Sequence, residues 1–299
     1  MIQNISSSAD AFLSAVNQLE EKAQRAQEEL GSGVRVNKPS DDPGSISDIL
    51  QINSTLVRTA QIGRNLDSVT TEVNGAERAL TSAITTLDTI GTLAAQGANF
   101  NQTATDRAQL AAQVQDRLQN LVGFANTSDG NRYVFSGDAD QTTPYALDLT
   151  TATGTTPYAG LAATRQVEDP RGSTFSIAKT AQEIFDAPGA SVFAAVNDLR
   201  LALLANDQTG ITNAITSLKT AQTQLNGSLA YYGSVQNQVA DASNATKSIT
   251  LQLTSNLSAI RDADVVSVAS ELTSTQAQLQ AAFTARAKFP ATSLFNFLA

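Results

Sequence analysis

Val265-Val266-Ser267-Val268-Ala269-Ser270-Glu271-Leu272-Thr273-Ser274-Thr275-Gln276-Ala277-Gln278-Leu279-Gln280-Ala281-Ala282 decides the fold. Val265, Val268, Leu272, Thr275, Leu279 and Ala282 follow one another at steps of three, four, three, four and three. That period places them on one side of a helix as a coiled-coil stripe. The stripe needs a partner helix, and the opposite end of the chain supplies one. Phe12, Val16, Leu19, Ala23, Ala26 and Leu30 step by four, three, four, three and four, with Glu, Gln, Lys and Arg around them. The bland alternative is two ordinary surface helices of a globular bundle. Both stripes are narrow and rich in Ala, Thr and Gln, so the pair is marginal alone and gains by burying its outer face against other copies.

Between the ends, Val34-Arg35-Val36-Asn37-Lys38-Pro39-Ser40-Asp41-Asp42-Pro43-Gly44 reads as a loop of fixed shape, or more simply as a helix connector. Gly31 and Gly33 interrupt the first helix, Asn4, Ser6, Ser7 and Ser8 are candidate caps for it, and Ser40 or Asp41 caps the next, with Pro43 in its first turn. A long helix is expected from about residue 45 to 98. Its seam is Ile62, Leu66, Val69, Val73, Ala76, Leu80, Ala83, Leu87, Ile90 and Ala94, entered with a change of phase from Ile49, Ile52 and Leu56. A third helix runs to about Asn126, capped by Thr103 or Thr105, and Arg132–Gly137 is a short strand candidate. Residues 138–180 are rich in Thr, Gly, Pro and Tyr and read as a small β insert projecting outward, or as a partly ordered loop. Helical periodicity resumes near Ser191. The next long seam is Ile211, Ile215, Leu218, Leu225, Leu229, Tyr232 and Val239, with Gln222 and Gln236 in register. Arg261-Asp262-Ala263-Asp264 breaks it, and Leu294, Phe295, Phe297 and Leu298 cluster at the tip. The fold expected is mainly α: an elongated coiled-coil helical bundle formed by both termini, with a small β-rich insert.

Composition excludes several classes. The chain of 299 residues has a formal charge of −9 and no Cys, His or Trp. Thiol chemistry, imidazole acid–base chemistry and the usual zinc sites have no side chains to use. An acidic chain without a basic tract is a poor nucleic-acid ligand. No signal peptide is visible at Met1-Ile2-Gln3-Asn4, and no apolar run approaches the length of a membrane span. Asp41 and Asp42 read as a cap and a salt-bridge partner for Arg35 or Lys38, rather than a metal or catalytic dyad. Asp262 and Asp264, two apart, point to different faces and are expected to pair with Arg or Lys on another helix. Asp138 and Asp140 lack the calcium-loop pattern. No catalytic residue, metal ligand or cofactor is assigned, and the chain reads as no enzyme.

These residues resemble the bacterial flagellin family, which includes filament flagellins and hook-associated proteins. The resemblance covers about residues 1–137 and 190–298. Gly33–Pro43 is similar to the family's loop after the first helix, Arg261-Asp262-Ala263-Asp264 to its acidic motif, and Ser293-Leu294-Phe295 to its end. Ala125–Gly137, followed by Pro144-Tyr145, and the ending Ser293–Leu298 lean toward the hook–filament junction protein over a short filament flagellin. The resemblance implies an inner coiled-coil domain from 1–44 and 249–299. A helical rod with a short hairpin would come from 45–137 and 181–248, and a small outer insert from 138–180. It implies secretion through the flagellar export apparatus to the extracellular flagellum. The implied partners are other copies in a ring or tubular lattice, neighbouring axial proteins and an export chaperone, with no nucleic acid and no membrane insertion. Phe12, Val16, Leu19, Leu30, Arg35, Asp41, Asp42, Asp262, Asp264, Leu272, Leu279, Leu294, Phe295, Phe297 and Leu298 are its candidate assembly residues. Two rivals stand beside it: a non-flagellar secreted coiled-coil protein, stable without sister copies, and a binding module on the insert, with a polar pocket between 138 and 180.

Overall fold

The computed structural model describes residues 2–288, with side chains from Ala9 onward. The chain is mainly α. Its helices are α1 (Ile2–Ser32), α2 (Pro43–Gly97), α3 (Ala104–Ala125), α4 (Ala181–Phe185), α5 (Val192–Leu204), α6 (Gln208–Arg261) and α7 (Val265–Lys288). Two antiparallel hairpins pair β1 (Ser128–Asp129) with β2 (Arg132–Tyr133), and β3 (Gln166–Glu168) with β4 (Thr174–Ser176). The described residues form two compact units, 2–57 with 250–288, and Arg58–Ile249; α2 and α6 contribute to both.

The larger unit holds the main core. Every α2 seam residue from Ile62 to Ala94 expected from the repeat is buried. Facing them on α6 are Ile211, Ala214, Leu218, Ala221, Leu225, Ser228, Tyr232, Val235, Val239, Ala242 and Thr246, again at alternating three and four. The α6 seam corrects the expectation: one line matches, but the other runs through Ala214, Ala221, Ser228 and Val235 rather than Ile215, Gln222, Leu229 and Gln236, which are half-buried. Three of the four residues on that line, Ala214, Ala221 and Ser228, are small. Each Leu, Ile or Val buried here contributes about 1.5–3 kcal/mol over its exposed state. Gln222 bonds Asp88, and Gln236 Nε2 reaches Asn74 Oδ1 at 3.0 Å, so α2 and α6 run antiparallel.

α3 and α5 pack together, and α3 opens on a capping box in which Thr103 and Asp106 satisfy each other's backbone N–H. Buried Arg107 ties the α2–α3 and α5–α6 turns. It donates to Gly97 O at 2.8 Å, Asn99 O at 3.2 Å, and the side-chain oxygens of Asn206 and Gln208, each at 2.5 Å. The strand expected over Arg132–Gly137 is only β2, because Val134, Phe135 and Ser136 turn into the core. Phe135 meets Phe185 and Tyr232 edge-on, each at 6.1 Å. Residues 138–180 carry little ladder beyond β3–β4 and the bridge between Leu147 and Thr155. They send Tyr145, Val167 and Ile177 into the same core.

In the smaller unit α1 and α7 pack side by side. Arg286 lies over the Phe12 ring at 5.6 Å while Val34 bridges Asp262, so the pair is antiparallel. The seam is thin: Val16, Ala23, Ala26, Val268 and Thr275 are buried. Phe12, Leu19, Leu30, Leu272 and Leu279 are half-buried, and Val265 is exposed. A second small cluster joins Val36, Ile49 and Leu257, flanked by Ile46, Ile52, Leu56 and Ile260. α1 is already helical at Ile2, so Asn4, Ser6, Ser7 and Ser8 lie within it and do not precede it as caps. It runs through Gly31, and Gly33, at φ +70°, ends it.

Candidate assembly interface

The loop between α1 and α2 is fastened onto the junction of α6 and α7. Arg35 N and Val36 N both donate to Arg261 O, at 2.8 and 3.2 Å, and Ala263 N donates to Gly33 O at 3.0 Å. Arg35 Nη2 reaches Ile260 O at 2.6 Å, while its Nη1 pairs with Asp42 at 3.2 Å. The chain's two ends are therefore stitched by backbone bonds, which hold whatever the salt. The exposed Arg35–Asp42 and Lys38–Glu28 pairs add little.

The carboxylates have distinct tasks. Asp42, not Ser40 or Asp41, caps α2: it accepts from Ser45 N at 3.3 Å and Ser45 Oγ at 2.7 Å. The Ser45 hydroxyl and then Arg35 hold its carboxyl below the ordinary value. Asp41 closes the loop from within, accepting from the N–H groups of Asn37 and Lys38 at 2.9 and 2.7 Å. Among the described residues, neither Asp262 nor Asp264 pairs with a cation on another helix. Asp262 accepts from Ser258 Oγ at 2.6 Å and from its neighbour Arg261 at 3.0 Å. Both bonds hold its carboxyl low, Ser258 first. Asp264 caps α7 through Val266 N at 3.0 Å and Ser267 N at 3.2 Å. A helix must start immediately after α6 stops, and the two acids serve that break. Glu29 faces the opposite pressure: burial, then Glu271 across the α1–α7 pair, push its carboxyl up.

Outside the thin seam the same unit exposes a second apolar set. Val266 is 77% exposed and Val57 69%, and Leu13, Leu50, Leu251, Val265 and Phe283 are more than half exposed. Leu13, Val266 and Phe283 fall between the seam positions that the heptad pattern selects. The seam is found by its period, whereas single apolar residues off it look like noise in a sequence. Leu294, Phe295, Phe297 and Leu298 lie outside the described residues.

The larger unit holds a cleft of about 280 Å³ between α2, the β1–β2 hairpin and the segment leading into β3. Its charged walls answer one another: Arg165 pairs with Glu72, Arg132 with Asp140 at 2.6 Å, and Asp138 accepts from Thr164. Asp138 and Asp140 are thus structural ties. No group of acids among the described residues is arranged to hold a metal ion, and no described helix is long and apolar enough to cross a membrane.

Residues 4–140 match the bacterial flagellin N-terminal helical region, and residues 209–298 match the bacterial flagellin C-terminal helical region. Flagellar hook-associated protein 3 of Salmonella typhimurium is 29% identical over 161 residues, 54% of this chain and 49% of the relative. The chain thus spans about half the length of that relative. Flagellin B of Helicobacter pylori is 35% identical over 104 residues, 35% of this chain and 20% of the relative. Flagellar hook associated protein-3 from Legionella pneumophila shares the fold, with a TM-score of 0.63 at 15% identity over 71% of this chain and 98% of that one.

Proposed function

This chain belongs to the bacterial flagellin family, and we propose that it is a structural subunit of the flagellum that joins hook to filament. The observation that carries the reading is the outer apolar set on the terminal unit, above all Val266, Val57, Leu251 and Phe283. A seam as thin as Val16, Ala23, Ala26, Val268 and Thr275 leaves much of the stabilisation to be supplied by neighbours. In this reading 1–44 and 249–299 form the inner, lattice-forming domain, 45–137 and 181–248 the helical rod, and 138–180 the outward insert. The candidate assembly residues act in two ways. Phe12, Val16, Leu19, Leu30, Leu272 and Leu279 shape the pair; Arg35, Asp41, Asp42, Asp262 and Asp264 fix the turn that presents it. Export to the cell exterior, with a chaperone shielding the C-terminal end, belongs to the same proposal.

The match to hook-associated relatives reaches further along the chain than the matches to flagellins, 54% against 35 and 44%, and this supports the junction role over a short filament flagellin. Adding the purified chain to isolated hooks tests it by electron microscopy. A junction subunit binds as a short cap of limited length and then accepts flagellin. Long homopolymers grown from this chain alone would favour the filament subunit instead.

A further inference from the structure

The β3–β4 hairpin touches both long helices of the larger unit. On its α2 side Arg165 pairs with Glu72 and Glu168 with Arg58, while Val167 is buried between the two ion pairs. On its α6 side the Tyr231 hydroxyl donates to Ser176 O at 3.2 Å, and Lys179 Nζ sits 4.8 Å over the Tyr231 ring. Lys179 N donates to the Tyr232 hydroxyl at 3.1 Å. The turn between the strands is itself fixed: Asp169 accepts from Arg171 N at 2.9 Å and Ser173 N at 2.8 Å, and Gly172 takes φ +88°. The segment is therefore a stiff strap anchored at both ends.

From Glu72 to Arg58 it runs along a seam of Val69, Leu66 and Ile62 toward an end that carries small and hydroxyl-bearing residues. Toward Ile90 and Ile211 the layers carry Leu80, Leu87, Leu218 and Leu225. In the other direction, past Ile62, the buried residues are Thr59, Ala242 and Thr246, and a Cβ on Gly63 would sit 3.5 Å from Thr246. Burying hydroxyls and small groups contributes less than burying Leu or Ile, so these layers open most readily.

We propose that residues 165–179 form an ionic clasp that keeps the apolar-poor end of the α2–α6 pair shut, so that the larger unit is ordered without help from neighbouring subunits. The clasp transmits in both directions. Loosening its α2 anchors frees α6, and loosening its α6 anchor frees α2. Two of its fastenings are ion pairs reached by solvent, so salt weakens it.

Hydrogen exchange of the full chain, read by mass spectrometry, tests this. In the double variant Glu72→Gln, Glu168→Gln, exchange across α6 residues 235–246 should quicken roughly three- to tenfold, although no α6 side chain has changed. Tyr231→Phe should quicken α2 residues 60–73 in turn, and raising salt on the wild type should reproduce the first pattern. Residues 80–94 should be unaffected in every case. Acceleration confined to 164–179 would overturn the proposal, as would a far helix that does not respond or a wild type indifferent to salt.

Discussion

Asp42 accepts hydrogen bonds from Ser45 and Arg35, and both favour its charged form. Asp262 is held low in the same way by Ser258 and Arg261. Their stabilisation is present above the ordinary Asp value of 3.8 and is lost as pH falls through the lower folded values. Glu29 has the opposite sign. Burial and Glu271 raise its folded pKa above 4.5, so its contribution is complete below 4.5 and lost as pH rises through the folded value. The α1–α7 pair is therefore expected to tighten as pH drops from 7 toward 4.5 and to loosen again below 3.8. Exchange protection of α1 amides at pH 7, 4.5 and 3, corrected for intrinsic rates, checks this. Glu29→Gln should abolish the gain on mild acidification and leave the loss in strong acid. In the larger unit Tyr145 meets Phe193 edge-on and Tyr158 at a tilt, with its hydroxyl unpartnered among the described residues. Burial pushes that hydroxyl's pKa well up. Tyr145→Phe removes a desolvated group that returns no hydrogen bond, and should stabilise the unit by about 1 kcal/mol in a denaturant titration.

Among elements, the α2–α6 pair depends on small residues as much as large ones. Ala221 is fully buried on the small-residue line of the α6 seam. Ala221→Leu forces extra volume into that contact and should cost about 1–3 kcal/mol, whereas Leu66→Ala leaves a cavity and should cost about 2–5 kcal/mol. Chemical unfolding of the two variants separates overpacking from cavity formation. The same small residues explain what could be read in advance. The α2 seam was legible throughout, since Ile, Leu and Val recur on it every few residues. On α6, Ile215 and Leu229 drew the second line one residue off, because Ala214, Ala221 and Ser228 carry almost no hydrophobic signal. α4 is a single short helix with no periodicity; its capping box of Thr180 with Glu183 was the available sign. The hairpins are two and three residues per strand, too short for alternation to register. At the loop, the acids were recognisable but their partners were not, because backbone N–H groups and the Ile260 and Arg261 carbonyls leave no trace in side-chain patterns.

For the whole molecule, the two units differ in how they are stabilised. The larger contains aromatic rings, long apolar seams and the Arg107 tie. The terminal unit has a thin seam, a stitched loop and large apolar side chains left facing water. That contrast is what the proposed role, a subunit that matures in contact with its sisters, requires. The most direct test compares hydrogen exchange of the free chain with that of the same chain in its assembly. Residues 9–32 and 265–288 should exchange rapidly when free and become strongly protected on assembly, with residues 80–94 protected in both. Terminal helices already protected in the free chain to the level of residues 80–94 would contradict the account.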